Sequence, residues 1–239
     1  MEAIMTTSTQ TPDPRCGACP IRQESERLCR KENGRHPPDC PTLHKKELIA
    51  KTLQMYKSDR MLPFARTAAI VEKETYAPHP LNGVIQARLP RLVEIVNFAR
   101  HMRYEKLGLV FCIGLRNEAA IVNEVFETNG FAVASAVCKV GNIPKEELGL
   151  SLEDQPDPDD PESMCNPILQ AELMNDAAVD FNILLGLCVG HDSMFLRHAK
   201  APATVLAVKD RSNGHNPLAC VYAYNSYAGY LKKPLFPKD

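Results

Sequence analysis

The sequence predicts an α/β protein, a three-layer sandwich around a mostly parallel sheet of about four or five strands. After residue 105, four apolar runs of strand length alternate with helical patterns. Strands that alternate with helices favour parallel pairing through right-handed crossovers. The chain also carries nine cysteines, and four of them lie in a stretch without a long apolar run. We therefore expect helices and a small cysteine-rich segment to precede the α/β domain.

Four regions follow from these patterns. Residues 1–15 are polar and lack the apolar run of a secretion signal, so they are predicted to be a disordered tail. Residues 16–42 form the cysteine-rich segment, and residues 43–104 are expected to be helical and to pack on the core. Residues 105–239 form the α/β domain, which contains an acidic, proline-rich loop at 151–163.

The individual elements are predicted from apolar periodicity, capping residues and turn residues. Helices are expected at 43–56, from Ser58 or Asp59 to Tyr76, and at 90–103 with Pro90 in the first turn. The α/β domain follows with strands at 107–113, 131–137, 181–187 and 203–208. Its helices are predicted at 116–128, from Asn166-Pro167 to 178, at 191–199, and from Asn216-Pro217, although 221–224 also fits a strand.

Composition excludes several functional classes. The 28 basic and 29 acidic residues nearly cancel, which argues against a nucleic-acid-binding protein. No run reaches the length of a membrane span, so no membrane partner is expected. An odd number of cysteines without a secretion signal indicates a reducing, cytoplasmic compartment, where clustered cysteines more often bind metal than form disulfides.

The first four cysteines have the spacing of a metal site. Cys16 and Cys19 are separated by two residues, and Cys29 and Cys40 follow within the same segment. Four thiolates suit tetrahedral zinc, and four cysteines also hold iron–sulfur clusters. Because the segment has too few apolar side chains for a core, metal binding is expected to fold it. We favour zinc at Cys16, Cys19, Cys29 and Cys40; His36 and His44 lie close enough in sequence to replace a ligand.

A second group of cysteines falls at the predicted strand ends. Cys112 is near the end of the first strand, Cys138 follows the second and Cys188 follows the third, while Cys165 precedes the Asn166 cap. The carboxyl ends of parallel strands meet at one edge of a sheet, where ligands bind. Cys138, Cys165 and Cys188 are therefore candidates to bind a metal, an iron–sulfur cluster or another ligand at this edge.

Other interpretations of this edge remain open. Cys188, just before the helix that begins at His191, is a candidate nucleophile because a helix N-terminus stabilises a thiolate. His191 and Asp210 are further catalytic candidates. Free cysteines also often fill cores, which is at least as good an account of Cys112 and a better one of Cys220.

Several short motifs together resemble one family. They are Cys16-Gly-Ala-Cys19, Cys165-Asn-Pro-Ile168, Gly186-Leu-Cys-Val-Gly-His-Asp192, Lys209-Asp-Arg211 and His215-Asn-Pro217. The combination is similar to an uncharacterised prokaryotic family of predicted metal-binding proteins, a domain of unknown function. The resemblance implies metal binding and assigns neither a reaction nor a metal.

The sequence thus predicts a metal-binding protein of unestablished activity, with an N-terminal four-cysteine site and a second cysteine site at the strand ends. The alternative is a redox or iron–sulfur enzyme that uses Cys138, Cys165 and Cys188. A small-molecule ligand at the sheet edge fits both hypotheses. Whether the protein is an enzyme, and whether it forms oligomers, is left open by the sequence.

Overall fold

The computed structural model describes residues 13–236. Most of the predicted tail, residues 1–15, lies outside this range. The chain divides into two compact units, one up to Arg66 and one from Thr67 onward. The border between the two units falls inside the helix Met61–Thr75.

The first unit has short helices and almost no core. Cys16–Ala18 and Glu24–Glu26 are single 3-10 turns, followed by α1 (Pro41–His44), α2 (Lys46–Tyr56) and the start of α3 (Met61–Thr75). Between residues 13 and 66, Ile21 is the one hydrophobic side chain that the structure describes as buried. The apolar face predicted for α2 is present but about half exposed: Leu48, Ile49, Leu53 and Tyr56.

The second unit contains the α/β fold. Two short strands, β1 (Tyr76–Pro78) and β2 (Ile85–Ala87), form an antiparallel pair, and α4 (Arg91–His101) follows. The remaining strands are β3 (Lys106–Phe111), β4 (Ala132–Val137), β5 (Phe181–Leu187) and β6 (Ala203–Val208). The remaining helices are α5 (Arg116–Thr128), α6 (Pro167–Asp176), α7 (His191–His198) and α8 (Ala219–Tyr222).

The larger sheet has four parallel strands in the order β4-β3-β5-β6. The crossover from β3 to β4 runs in one direction along the sheet, and those from β4 to β5 and from β5 to β6 run in the other. Right-handed crossovers therefore put α5 on one face and α6 and α7 on the opposite face. The α/β prediction is confirmed, and the direction of the chain changes between β3 and β5.

Alternation of side chains along the strands assigns the core residues to these faces. Val110 and Ala136 pack in one buried cluster with Met174 of α6 and Phe195 of α7. Their neighbours in sequence therefore point to the other face, where α5 contributes the fully buried Phe126. Both faces of β5 are buried, as its uninterrupted apolar run predicts.

Several elements differ from the sequence prediction. The β1–β2 pair was not predicted, because its three-residue strands are exposed and give no periodic signal. Pro90 is the N-cap of α4 instead of a first-turn residue. The last helix, α8, begins at Ala219, two residues after Pro217, and no strand forms at 221–224. The acidic loop is partly packed, since Gln155 is buried and accepts a hydrogen bond from the Glu162 amide.

Among residues 13–236, no helix is both long and apolar enough to cross a membrane.

Candidate functional site: two cysteine clusters

The first cluster lies in the N-terminal unit. A cavity of about 60 Å³ is lined by all four cysteines of the predicted metal site. Because these residues are spread over the whole segment, the local fold must bring them together, and short turns do so. The cysteines are Cys16, Cys19, Cys29 and Cys40.

Backbone turns position three of these cysteines, Cys16, Cys19 and Cys40. The amide of Cys19 donates to the carbonyl of Cys16 at 3.2 Å, which closes the two-residue spacing into a single 3-10 turn. Cys40 is the N-cap of α1, and Pro41 supplies the fixed φ that suits a first helical position. The turn and the helix start both follow from local sequence, so neither depends on a hydrophobic core.

The third thiol is held by a close approach of two backbones. Leu28 donates to Arg35 at 2.9 Å and Arg35 donates to Glu26 at 2.7 Å, so the chain folds back around Cys29. A Cβ at Gly34 would lie 2.4 Å from the carbonyl carbon of Arg27. Only glycine fits there, which explains a glycine in an otherwise polar segment.

The surroundings of the cavity are cationic. Arg15, Arg27 and Arg35 line it beside the thiols, with Asp39 as an acidic neighbour. Arg35 also pairs with Glu26 at 2.8 Å.

The histidines named as replacement ligands have other contacts. His44 Nε2 is hydrogen-bonded to the carbonyl of Pro38, and His36 Nδ1 lies 3.2 Å from that of Pro37. Neither lines the cavity. Throughout residues 13–236, no group of three or more His, Cys, Asp or Glu side chains converges in an arrangement that could hold a metal ion. The four thiols thus share one cavity without the convergence of a tetrahedral site.

The second cluster lies at the carboxyl edge of the parallel sheet. Phe111 pairs with Val137 at the end of β3 and β4, so Cys112 and Cys138 leave adjacent strands in register. By alternation, Cys112 shares a face with Val110, and Cys138 shares it with Ala136. This is the face of α6 and α7, which are preceded by Cys165 and Cys188 respectively.

Three of these thiols affect one another's ionisation. Hydrogen bonding from Cys112 to Cys138 and from Cys138 to Cys165 contributes to their pKa values, as does hydrogen bonding from the Lys209 ammonium to Cys112. The amide of Ile113 donates to Cys138 Sγ at 3.3 Å.

The pKa values follow from this order. The hydrogen bond to Cys138, together with burial, raises the pKa of Cys112 to about 12. The hydrogen bond received from Cys138 lowers the pKa of Cys165 to about 7; burial opposes this, and the charge of Lys139 reinforces it. For Cys138, the bond from Cys112 alone would lower the pKa, but donation to Cys165 and burial outweigh it and the pKa is raised. Cys165 is therefore the most acidic of the three thiols.

Cys188 and His191 complete the edge. Arg211 Nη2 donates to Cys188 Sγ at 3.3 Å, and this interaction raises the pKa of Arg211. Burial lowers the pKa of His191, against the charges of Cys112 and Asp192. A histidine so disposed is neutral at physiological pH and has a ring nitrogen available as a base or ligand.

Asp210 and Cys220 are hydrogen-bonded to residues of their own turns. The carboxylate of Asp210 accepts hydrogen bonds from the amides of Ser212 and Asn213 and from the Asn213 side chain, which also lower its pKa. It closes its own turn, and no described hydrogen bond joins it to a cysteine. The thiol of Cys220 donates to the carbonyl of Pro217 at 3.4 Å.

Sequence reasoning missed Lys139 and Gln170 at this edge, and it noted Lys209 only as part of the motif after the fourth strand. Lys139 bonds the carbonyl of Ser163 and pairs with Glu162 at 2.9 Å, which ties the loop before Cys165 to the end of β4. The fully buried Gln170 of α6 donates to the carbonyls of Phe111 and Ala136, and Lys209 reaches Cys112. The position of Lys139 next to Cys138 was a usable signal; Gln170 gave none.

Comparisons with known proteins agree on the family and add no activity. The family model described as a protein of unknown function, DUF1847, matches residues 40–206. An uncharacterised protein of the archaeon Methanocaldococcus jannaschii is 38% identical over 191 residues, which cover 80% of this chain and 90% of that protein. No solved structure matches the chain. The matched region contains Cys40 and all four cysteines of the sheet edge. The chain belongs to the DUF1847 family of proteins of unknown function.

Proposed function

We propose that this protein binds a metal ion, zinc by preference, through Cys16, Cys19, Cys29 and Cys40. One observation carries the proposal: all four thiols line a single small cavity, although they lie far apart in a segment that has almost no core. The donor set fits zinc, which four cysteines hold in closed structural sites. Four thiolates and one zinc ion carry two net negative charges, and three arginines and one aspartate of the cavity wall lie beside them.

The metal in this proposal is structural. With four protein ligands no coordination position is left for a substrate. The ligands draw the turns around Cys16, Cys29 and Cys40 together and supply the binding energy that a hydrophobic core supplies elsewhere. An iron–sulfur cluster is the alternative occupant of the same four cysteines.

Metal content per chain tests this proposal. Zinc and iron are quantified in the full-length protein purified without oxygen, in a Cys16→Ser/Cys19→Ser variant and in Cys220→Ser. Cys220 is the matched control because its thiol bonds Pro217 and lies in the other unit. We expect one zinc per chain in the wild type and in the control, and its loss in the double variant. A double variant that keeps its zinc contradicts the proposal.

A second candidate function is favoured by the hydrogen-bonded thiols of the sheet edge. We infer that Cys138, Cys165 and Cys188 belong to a second cysteine site, which acts in redox chemistry or holds an iron–sulfur cluster. The site lies where the chain changes direction between β3 and β5, the usual ligand position in open α/β sheets. A small-molecule ligand would meet Cys188 and His191 there, because these residues follow β5 directly.

Visible spectroscopy separates the two forms of this second candidate. An iron–sulfur cluster gives broad absorption near about 400 nm and several irons per chain. That absorption should disappear in Cys138→Ser and Cys188→Ser and persist in Cys220→Ser. A colourless, iron-free protein rejects the cluster and leaves thiol redox chemistry.

A further inference from the structure

The three hydrogen-bonded thiols differ in how easily a reagent reaches them. Cys138 and Cys112 are only 3% and 7% exposed, whereas Cys165 is half-buried and lies in the loop before α6. A molecule that approaches the chain of thiols therefore meets Cys165 first. Cys138 is the more buried of the two, and its backbone is joined to that of Asn166, the residue after Cys165.

A backbone hydrogen bond brings the chain at Cys165 alongside the chain at Cys138. The amide of Asn166 donates to the carbonyl of Cys138 at 2.7 Å, so the two chains run side by side at this point. Backbones joined by such a bond lie about 4.8 Å apart. Disulfides form when the Cα atoms are about 4.4–6.8 Å apart.

The loop that carries Cys165 is fixed at its base. Met164 donates to the carbonyl of Ile143 at 2.7 Å, and Lys139 contacts both Ser163 and Glu162. These contacts hold Cys165 beside Cys138, and Cys165 is partly exposed. Cys188 is also half-buried, but its sulfur accepts from Arg211 and takes no part in the thiol chain.

We propose that Cys165 and Cys138 form a redox-active pair that reduces the disulfide of a small molecule. This inference rests on the redox form of the second candidate function. The Cys165 thiolate attacks one sulfur of the substrate, and a Cys165–substrate mixed disulfide forms as the other half leaves as a thiolate. Cys138 then loses its proton to solvent or to that thiolate and attacks the Cys165 sulfur.

The products balance the reaction. A Cys138–Cys165 disulfide forms, the second half of the substrate leaves as a thiol, and two electrons pass from the protein to the substrate. A dithiol reductant returns the pair to the reduced state.

The test uses full-length reduced protein and 2-hydroxyethyl disulfide as the probe, without oxygen. After reaction, free thiols are alkylated and the protein is digested with trypsin and a glutamate-specific protease. Cleavage at Lys139 and Lys145 separates Cys138 from Cys165, and cleavage after Glu172 separates Cys165 from Cys188. We expect a Cys138–Cys165 cross-linked peptide, and the reaction of this pair should release two molecules of 2-mercaptoethanol per chain.

Variants identify the order of the steps. Cys165→Ser should lose the reaction at this edge. In Cys138→Ser the reaction should stop at the mixed disulfide between Cys165 and one 2-mercaptoethanol. Cys220→Ser should behave as wild type. Because Cys138 is buried, circular dichroism checks that its variant folds; the more accessible Cys165→Ser carries the test if it does not.

Three results overturn the inference. The first is alkylation of both Cys138 and Cys165 after exposure to the probe, which means that no disulfide formed between them. The other two are a cross-link in any other pairing and a Cys165 that bound metal keeps from reacting. The outcome is independent of the N-terminal zinc. A chain that keeps one zinc at Cys16 and Cys19 but forms no Cys138–Cys165 bridge rejects this inference and leaves the zinc proposal standing. A chain that forms the bridge but holds no zinc does the reverse.

Discussion

The two units bring cysteines together by different physical means. In the N-terminal unit, short turns gather four thiols around one cavity, and Ile21 alone is described as a buried hydrophobic side chain. In the second unit, a parallel sheet with two buried faces delivers its cysteines to one edge. The difference leads us to expect unequal responses to removal of metal: the first fold should depend on its thiols, whereas the second places its thiols as a consequence of the sheet.

Removal of metal should affect the two units most unequally. We expect a strong chelator to make the chain sensitive to trypsin at Arg27, Arg30 and Lys31, while Lys106 in β3 stays protected. The binding energy of a structural zinc is of order 10 kcal/mol, so cleavage at the first sites should accelerate roughly 100-fold or more. Time-resolved peptide mapping measures both rates in one sample.

Re-addition of zinc is the control for this experiment and should restore protection. Equal cleavage rates at Arg27 with and without metal would show that the turns are stable alone, and the contrast between the units would fail. Acceleration at Lys106 would place the essential metal in the second unit instead.

Much of the second unit could be predicted because its elements have simple patterns. The strands Phe181–Leu187 and Ala203–Val208 and the helix Arg116–Thr128 have the predicted bounds. Continuous apolar runs identify strands that are buried on both faces, and Asn166 caps α6 by accepting from the amide of Leu169, as its sequence indicates. These features depend on neighbours in sequence.

What the sequence could not supply depends on partners distant in the chain. The order β4-β3-β5-β6 decides that Cys112 lies beside Cys138, and no local pattern encodes it. Core filling was therefore as good an account of Cys112 as function. Gln170 was missed for the same reason, since its partners on β3 and β4 lie at least 34 residues away. A buried amide on an apolar helix face has no periodic signature.

The site predictions divide in the same way. That Cys112, Cys138 and Cys188 approach one edge followed from strand ends, and Cys165 was placed there as the residue before the Asn166 cap. The donation from Cys112 through Cys138 to Cys165 needed atomic positions, as did the Arg211 contact with Cys188. Metal binding by either cluster stays a prediction.

A core substitution should produce the opposite contrast to metal removal. Phe126→Ala removes a fully buried ring from α5, and we expect a loss of about 3–5 kcal/mol in the free energy of unfolding of the second unit. Ile121→Ala on the same helix is the control, because that side chain is 61% exposed, and it should cost less than about 0.5 kcal/mol. Urea unfolding, followed by circular dichroism, measures both. Zinc content should stay the same in each variant; loss of zinc from Phe126→Ala would show that the N-terminal cluster depends on the second unit's core.

The smallest expected effect concerns one thiol within the sheet edge. The lowered pKa of Cys165 predicts an alkylation rate that reaches half its maximum near pH 7 in the folded, metal-free protein, and near about 8.5 in urea. At pH 7 the larger thiolate fraction is partly offset by the weaker nucleophilicity of a more acidic thiol, so folding should accelerate the reaction only about 3- to 4-fold. The same shift has a consequence for stability. Because the folded pKa lies below the unfolded one, the contribution of Cys165 is complete above about pH 8.5 and is lost as the pH falls through about 7. Peptide-resolved alkylation with iodoacetamide across this range measures the midpoint, and Cys138→Ala, which removes the donated hydrogen bond, should move it upward. A midpoint unchanged by that substitution would mean that Lys139 alone holds the thiolate, and the donor chain through Cys138 would lose its role.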